Sequence, residues 1–371
     1  MESHQLKRSG DRLTTHLESL RKKVEELGYD AYVVADEMNV RYLTNIPMPE
    51  AILLLVKRDG DYVLYATSSH SRAAKSNAGN ICEIKTAKVG QPSRDLLLAD
   101  LTQMNAKQIG FDALSAEAYR GLSEKAKATR FVPDAATMWG LRMIKSEDEI
   151  QNVRKSAKIA DEGQKAAVRT VRPGMREYEV AAEVEHAMRI LGSENEGHIY
   201  GPMVASGPRT LLGSTSGWVT DRTIGEGELV IVDTGATING YRTDSARTYV
   251  AGKPSMNQKE MYDLVRKAWR AAFSRVRPET ITSEVDVAAR RVFGEYERYF
   301  DHGIGHGVGL SLPEPPRMIK DSREILKENM VVTIEPALYL DGIGGILVED
   351  TVLVVKDGAE RLTAPPLEWN A

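Results

Sequence analysis

The chain reads Phe300-Asp-His-Gly-Ile-Gly-His-Gly-Val-Gly-Leu310 at the stretch that decides its fold, with a glycine at every second position from Gly303 to Gly309. Each glycine destabilises a helix by about 1 kcal/mol relative to alanine, so this spacing predicts an extended strand. Alternate residues of a strand share a face, which points His302 and His306 the same way. Bare glycine backbone also lets another segment or a ligand come close. The stretch is either part of a binding site or a tight loop with two internally satisfied histidines.

Two carboxylates occur in neighbouring apolar segments upstream. Leu229-Val-Ile-Val-Asp-Thr-Gly-Ala236 predicts a buried strand that contains Asp233, and Asn239-Gly240 is a strong signal for a two-residue hairpin turn. The returning strand contains Asp244, which this turn would place opposite Gly235 and diagonal to Asp233. Diagonal partners lie about 7–8 Å apart on one face, a separation that suits two carboxylates holding metal between them. Ion pairs with arginines of the returning strand are the alternative explanation.

Two further carboxylates lie in apolar segments downstream. Glu335 falls in a strand predicted over residues 331–336, and Glu349 in one predicted over residues 345–355. A carboxylate in an apolar strand is destabilising unless it is paired or bound to metal. One binuclear metal centre explains all four carboxylates at once, and centres with ions about 3.5–4 Å apart can place a bridging hydroxide for hydrolysis. One imidazole among four carboxylates favours Mn²⁺ or Co²⁺, while Zn²⁺ and Fe²⁺ also fit.

Length and composition indicate a soluble globular protein. A chain of 371 residues is too long to fold around one ordinary hydrophobic core, so its length predicts two domains. The formal net charge of −4, from 49 basic and 53 acidic residues, gives no reason to expect nucleic acid or a membrane as a partner. The single cysteine, Cys82, cannot form an intrachain disulfide and fits a cytoplasmic protein. The polar segment 1–12 has no apolar region typical of a signal peptide.

The domain boundary is predicted near residue 140. Alternating strand and helix signals indicate a compact α/β domain over residues 1–140, without a cluster of metal-ligating side chains. Ser146 and Glu149 then form a capping box, which starts a long helix expected to run to about Val171. This helix opens the second domain, over residues 141–371.

An internal repeat divides the second domain. Ala166-Ala-Val-Arg-Thr-Val-Arg-Pro173 recurs as Ala271-Ala-Phe-Ser-Arg-Val-Arg-Pro278, and Glu179-Val180 recurs as Glu284-Val285 at the same offset. Each copy predicts a helix, a break at proline and a second amphipathic helix, followed by strands. Chance similarity of two helix ends is the alternative. Two related halves would place a shared site at the seam between them.

Taken together, these motifs resemble the pita-bread-fold metallopeptidases, which include prolidase, aminopeptidase P and the related methionine aminopeptidase, with creatinase as a non-peptidase relative. Tyr29-Asp-Ala and Asn39-Val-Arg-Tyr-Leu-Thr are similar to the creatinase and prolidase N-terminal domain, and Ile144–Ile150 to the usual entry into the catalytic domain. The resemblance implies a creatinase-like α/β domain followed by a pita-bread α+β catalytic domain built of two related halves. The family's ligand set matches at five positions: Asp233, Asp244, His306, Glu335 and Glu349.

The resemblance also implies a role for each residue of the site. Asp244 and Glu349 would bridge two metal ions, Asp233 would complete one of them, and His306 with Glu335 the other. Glu335 would also act as the general base towards the attacking water. His302 would lie near the substrate.

Three positions depart from the family pattern. Peptidase members carry histidines where this chain has Ser214 and Pro313, and an arginine where it has Leu347. The two histidines normally hold the scissile amide and stabilise the tetrahedral intermediate. His198, upstream of Ser214, is a candidate substitute or an ordinary loop histidine.

The leading hypothesis is a binuclear metal-dependent Xaa-Pro peptidase, of dipeptidase or aminopeptidase P type, that acts on small peptides. The alternatives are a family member that hydrolyses a small amide or amidine metabolite, and a metal-binding protein of this fold without turnover. The resemblance further implies a homodimer.

Overall fold

A computed structural model of the chain describes residues 2–194, 201–216 and 218–365. The chain divides into two compact units, Met1–Arg142 and Met143–Ala371. The boundary between these units and the boundary predicted after residue 140 both fall within one helix, Ala135–Met143.

The first unit is built on one mixed sheet flanked by helices. The strands are β1 Ala31–Val34, β2 Leu53–Lys57, β3 Tyr62–Ala66, β4 Glu83–Thr86, β5 Gln108–Phe111 and β6 Arg130–Pro133. The helices are α1 Glu2–Glu26, α2 Glu37–Thr44, α3 Ser71–Ala78, α4 Ser93–Met104, α5 Ala116–Lys125 and α6 Ala135–Met143. The sheet has six strands in the order β4-β3-β2-β1-β5-β6. Strands β1, β5 and β6 run parallel, whereas β2 pairs antiparallel with both β1 and β3. One face of the sheet packs on apolar residues of helices α4 and α5, such as Leu97 and Leu122.

The second unit contains two helix pairs, as the internal repeat predicts. At the start of the first helix the Ser146 N–H donates to Glu149 Oε2 at 2.7 Å, as the predicted capping box requires. Isolated antiparallel bridges at Arg176 and Ile281, which stand at the repeat offset, precede the second helix of each pair. The helices are α7 Glu147–Thr170, α8 Glu177–Arg189, α9 Met256–Phe273 and α10 Thr282–Phe293. Short 3₁₀ segments span Gly207–Ser216, with a kink at Gly213, and Gly294–Tyr299.

Each helix pair is followed by its own strands. The strands are β7 Met203–Ser206, β8 Glu228–Thr234, β9 Thr237–Ile238, β10 Tyr241–Arg242, β11 Ser245–Ala251, β12 Gly305–Gly307, β13 Glu314–Met318, β14 Val331–Ile334, β15 Ala337–Leu340, β16 Gly344–Leu347, β17 Asp350–Val355 and β18 Gly358–Arg361. The first half has a three-stranded sheet, β11-β8-β7, and the second a five-stranded sheet, β13-β12-β14-β17-β18. Two small two-stranded sheets, β10-β9 and β15-β16, are also present among the described residues.

Several strand boundaries differ from those predicted. The glycine-rich stretch is a strand only over Gly305–Gly307, so His302 lies outside it. The strand predicted over 345–355 is interrupted at Val348 and Glu349. Only Asp233 lies within a strand, whereas Asp244, Glu335 and Glu349 occupy junctions between strands. The prediction of four carboxylates inside four strands was therefore wrong for three of them, because pairing between distant segments ends these strands beside the site.

Candidate metal centre

Asp233 and Asp244 come from the hairpin of the first half. Asn239-Gly240 is its two-residue turn, and the register places Asp244 opposite Gly235, which confirms the predicted pairing. A Cβ added at Gly235 would lie 1.8 Å from the carbonyl oxygen of Thr243, so only glycine allows this close approach. Asp233 lies close enough to Asp244 to raise the pKa of the Asp244 carboxyl group, after the larger effect of burial.

Glu349 is held against the hairpin by backbone pairing across the two halves. The Glu349 N–H donates to Ala246 O at 2.9 Å, and the Ala246 N–H donates to Glu349 O at 3.3 Å. The Thr351 hydroxyl also accepts from the Asp244 N–H and donates to Asp244 O. These antiparallel contacts bring the carboxylates of Asp244 and Glu349 to the seam between the halves.

His306 reaches the same point from strand β12. A Cβ at Gly305 or Gly307 would lie 2.2 Å from Thr333 O or 2.1 Å from Pro315 O, so the glycines let neighbouring segments approach, as predicted. His306 Nδ1 lies 3.0 Å from Gly307 O. A carbonyl only accepts hydrogen bonds, so Nδ1 carries the proton and Nε2 presents a lone pair to the carboxylates.

The ligand atoms of these side chains converge. Single atoms of Asp244, His306 and Glu349 lie within 4.8 Å of one another. His306 Nε2 lies 3.7 Å from Asp244 Oδ2 and 3.6 Å from Glu335 Oε1. Burial and the neighbouring Asp233 raise the pKa of Glu335 to about 8. Burial and the adjacent carboxylates likewise raise the pKa values of Asp244 and Glu349 well above their ordinary range.

The chemistry of this cluster fits divalent cations. Asp244 Oδ1 and Glu349 Oε1 are buried and accept no hydrogen bond from any residue that the structure describes. Buried carboxylate oxygens without donors are destabilising unless a cation neutralises them. The cluster offers four carboxylates and one imidazole lone pair, which are ligands that divalent transition metals accept.

His302 and Tyr339 form a pair beside the cluster. His302 Nδ1 lies 2.8 Å from Gly303 O, so Nε2 accepts a hydrogen bond from the Tyr339 hydroxyl at 3.0 Å. Glu335 lies close enough to raise the pKa of Tyr339 electrostatically, after the larger effect of burial. Tyr339 was not among the predicted site residues; the available signal was a hydroxyl residue in the short apolar strand that follows Glu335.

The remaining predicted site residues are placed less directly. Pro313 is exposed, and Leu347 is buried in the apolar core at the end of β16. The backbone of Ser214 belongs to the 3₁₀ segment Gly207–Ser216, but its side chain is not among those described. His198 lies outside the described residues.

Comparison with known proteins identifies the family. The model of metallopeptidase family M24 matches residues 151–356, and that of the creatinase/prolidase N-terminal domain matches residues 16–144. The chain belongs to metallopeptidase family M24. It is therefore a metallopeptidase dependent on divalent metal ions, as the resemblance predicts, and the predicted fold class is confirmed. Among the helices that the structure describes, none has the length and apolar character needed to cross a bilayer.

Individual relatives match along nearly their whole length. An Xaa-Pro dipeptidase of Pyrococcus furiosus is 34% identical over 352 residues, which cover 94% of this chain and 97% of the relative. The structure of an Xaa-Pro dipeptidase from Bacillus anthracis is 30% identical with a TM-score of 0.89, covering 96% of this chain and 99% of that one. The prolidase of Pyrococcus horikoshii is 32% identical with a TM-score of 0.85, covering 95% and 99%.

Proposed function

We propose that this chain is an Xaa-Pro peptidase whose centre holds two divalent metal ions. The observation that carries the proposal is the convergence of Asp244, His306 and Glu349 from both halves, with Glu335 Oε1 3.6 Å from His306 Nε2. Buried oxygens of Asp244 and Glu349 accept no hydrogen bond from the described residues. The names of the relatives support the Xaa-Pro specificity. The proposed ligands are Asp233, Asp244, His306, Glu335 and Glu349.

The roles of the residues follow from their positions. Asp244 and Glu349 would hold both ions at the seam, because each has a buried oxygen that accepts no hydrogen bond from the described residues. Two divalent ions supply Lewis acidity and a nucleophilic water at neutral pH. Glu335 would accept the proton of that water, and its raised pKa of about 8 in the metal-free site reflects its crowded, buried position. Mn²⁺ or Co²⁺ are the proposed ions, with Zn²⁺ and Fe²⁺ as competitors.

Metal titration and a peptide library test this proposal together. We expect two equivalents of Mn²⁺ or Co²⁺ to bind, and the loaded enzyme to cleave Ala-Pro or Ala-Pro-Ala in preference to the matching Ala-Ala peptides. Binding of one equivalent would contradict the binuclear centre. Equal cleavage of the proline and alanine peptides would contradict the specificity.

A second candidate is hydrolysis of a small amide or amidine rather than a peptide. The observation in its favour is the absence of side-chain donors at Pro313 and Leu347, where peptidase members carry histidine and arginine. Turnover of a metabolite pool by metal-loaded enzyme that leaves Xaa-Pro peptides intact would support this candidate. Absence of turnover on both substrate sets would favour a metal-binding protein.

We also propose that the protein is a cytoplasmic homodimer. The single cysteine fits a reducing compartment. Light scattering of the purified chain should give twice the mass of 41.0 kDa. A mass of one chain would contradict the dimer.

A further inference from the structure

Helix α10 carries a buried ion pair directed at the segment that precedes His306. Arg290 Nε donates to Asp286 Oδ2 at 2.6 Å, and Nη2 lies 3.3 Å from Asp286 Oδ1. The Asp286 side chain is fully buried, and that of Arg290 is 13% exposed. Such a pair requires further hydrogen bonds to be stable, and Arg290 and Asp286 make three of them with the segment Phe300–Ile304. Arg290 Nη1 also lies 3.8 Å from Glu297 Oε1.

The guanidinium group holds two successive parts of this segment. Arg290 Nη1 donates to Phe300 O at 3.0 Å, and Nη2 donates to His302 O at 2.7 Å. Its central carbon lies 4.5 Å from the centroid of the Phe300 ring. The Phe300 and His302 rings pack at 76° to each other, with their centroids 4.8 Å apart. A planar fork that donates in two directions while stacking on a ring is a property of arginine that lysine lacks.

The carboxylate of the pair continues the connection to Glu335. Asp286 Oδ1 accepts from the Ile304 N–H at 3.1 Å. The Glu335 N–H in turn donates to Ile304 O at 2.8 Å. A single residue, Ile304, therefore separates the buried carboxylate of α10 from the backbone of Glu335.

The segment between these contacts has little rigidity of its own. Residues 300–304 form no helix or strand, and Gly303 and Gly305 flank Ile304. Glycine loses more conformational freedom on ordering than any other residue, so contacts from outside must define this backbone.

We propose that Asp286 and Arg290 are positioning residues that fix His302 and Glu335 for metal binding and catalysis. This inference rests on the proposed function, because it assigns Glu335 to the metal centre. Loss of an outer contact of this kind typically costs about 10–100-fold in metal affinity or activity.

Arg290→Lys is the test variant, because lysine keeps the charge beside Asp286 but cannot reach both carbonyls. Arg291→Lys, an exposed arginine one position along the same helix, is the matched control. In the full-length protein, Mn²⁺ affinity is measured by calorimetric titration, and kcat and KM on Ala-Pro. The ring ¹⁵N resonances of His302 are assigned by their loss in His302→Asn.

For Arg290→Lys we expect Mn²⁺ affinity and kcat to fall by about 10–100-fold, with a smaller change in KM and shifted His302 resonances. Arg291→Lys should match the wild type. A variant that only lowers the melting temperature, with Mn²⁺ affinity, kcat and His302 resonances unchanged, would overturn the proposal. If Arg290→Lys does not fold, the double variant Asp286→Asn/Arg290→Gln, which removes both charges, is judged by the same outcomes.

The readouts separate this inference from the proposed function. Failure of the wild type to cleave Xaa-Pro peptides would contradict the proposed function alone. The Mn²⁺ affinity and the His302 resonances of Arg290→Lys would still decide whether the ion pair positions the site.

Discussion

The two halves of the catalytic unit each contain a fully buried carboxylate on a helix that binds groups outside that helix. In the first half, Glu177 of α8 accepts from the Ser206 N–H and hydroxyl, both at 2.8 Å, and from the Thr220 hydroxyl at 2.6 Å. In the second half, Asp286 of α10 accepts from the Ile304 N–H. Both carboxylates also pair with an arginine, Arg209 and Arg290 respectively.

The two arrangements differ in where the arginine comes from. Arg209 belongs to the loop that it fixes, whereas Arg290 lies on the same helix as its carboxylate. The carboxylates do not occupy equivalent positions either, since the repeat aligns Asp286 with Ala181. The two halves therefore have the same arrangement of paired helices. Each buried carboxylate, by contrast, lies where a backbone N–H outside its helix needs a hydrogen-bond acceptor.

The largest expected effect tests the assignment of the general base to the second half. Glu335→Gln should retain the fold and at least one metal ion but lose about 10²–10⁴-fold in kcat, equivalent to roughly 3–5 kcal/mol, because the amide cannot accept the proton of the water. Glu328→Gln, an exposed position in the same half, is the control. Activity of Glu335→Gln within a few-fold of that control would assign the base elsewhere.

The second prediction concerns the stability of the first half. Arg209→Met leaves the fully buried Glu177 without its cationic partner. Removing one member of a buried pair typically lowers the free energy of unfolding by about 3–5 kcal/mol, and the remaining donors to Glu177 place the effect near the lower value. Urea denaturation, followed through the transition that responds to Mn²⁺, measures this effect.

The exposed Arg172→Met is the control for that substitution. Equal unfolding free energies for the two variants would show that the donors from Ser206 and Thr220 satisfy Glu177 without an arginine. The two halves would then differ in their energetics as well as in their geometry.

The parts of the site that sequence could predict are those determined by local chemistry. Asn239-Gly240 fixes the hairpin register because both residues adopt positive φ, at 52° and 84°. The capping box of Ser146 and Glu149 likewise depends on residues three apart. Both were predicted correctly.

The parts that could not be predicted depend on contacts between distant segments. The strand break at Glu349 follows from its pairing with Ala246, about a hundred positions away in the sequence. The orientation of His302 follows from Tyr339 and from the fork of Arg290. Periodicity within one segment contains no information about such partners, so the continuous strand was predicted wrongly and the pair of His302 with Tyr339 was missed.

The third prediction changes one position in each half. The resemblance predicts that Ser214 and Pro313 occupy the positions of the family's polarising histidines. One such donor is typically worth about 10²–10³-fold in rate, or roughly 2.7–4 kcal/mol. The double variant Ser214→His/Pro313→His should therefore raise kcat/KM on Ala-Pro by at least about 10²-fold under saturating Mn²⁺. Unchanged kcat/KM in a variant that melts like the wild type would show that another residue supplies the donor.

The smallest expected effect concerns the seam itself, where the proposed metal ligands of both halves meet. A metal ion that binds only the folded state stabilises that state by about 2.7 kcal/mol when its free concentration is a hundred times its Kd. Chelation should lower the melting temperature, and Mn²⁺ should restore it. If removal of the metal leaves the melting curve unchanged, the side chains of the two halves do not bind metal together.

The pH dependence of that effect has a defined sign. Without metal, the pKa of Glu335 rises from 4.5 to about 8 in the folded state, and the pKa values of Asp244 and Glu349 also rise. Between pH 4.5 and 8 the unfolded state therefore loses protons that the folded state retains, so metal-free stability falls as pH rises. The stabilisation by Mn²⁺ should increase over the same range, because bound cations favour the ionised carboxylates.

The variant Asp244→Asn/Glu349→Gln isolates the charges at the seam. It removes one carboxylate charge from each half while preserving the shape of the side chains. Each unit of pKa shift corresponds to about 1.4 kcal/mol of stability. With fewer repelling carboxylates, the metal-free variant should therefore lose less stability between pH 5 and 8 than the metal-free wild type. It should also no longer respond to Mn²⁺. If the unfolding free energies of the two metal-free proteins change equally with pH, repulsion between the carboxylates does not explain why the seam requires metal.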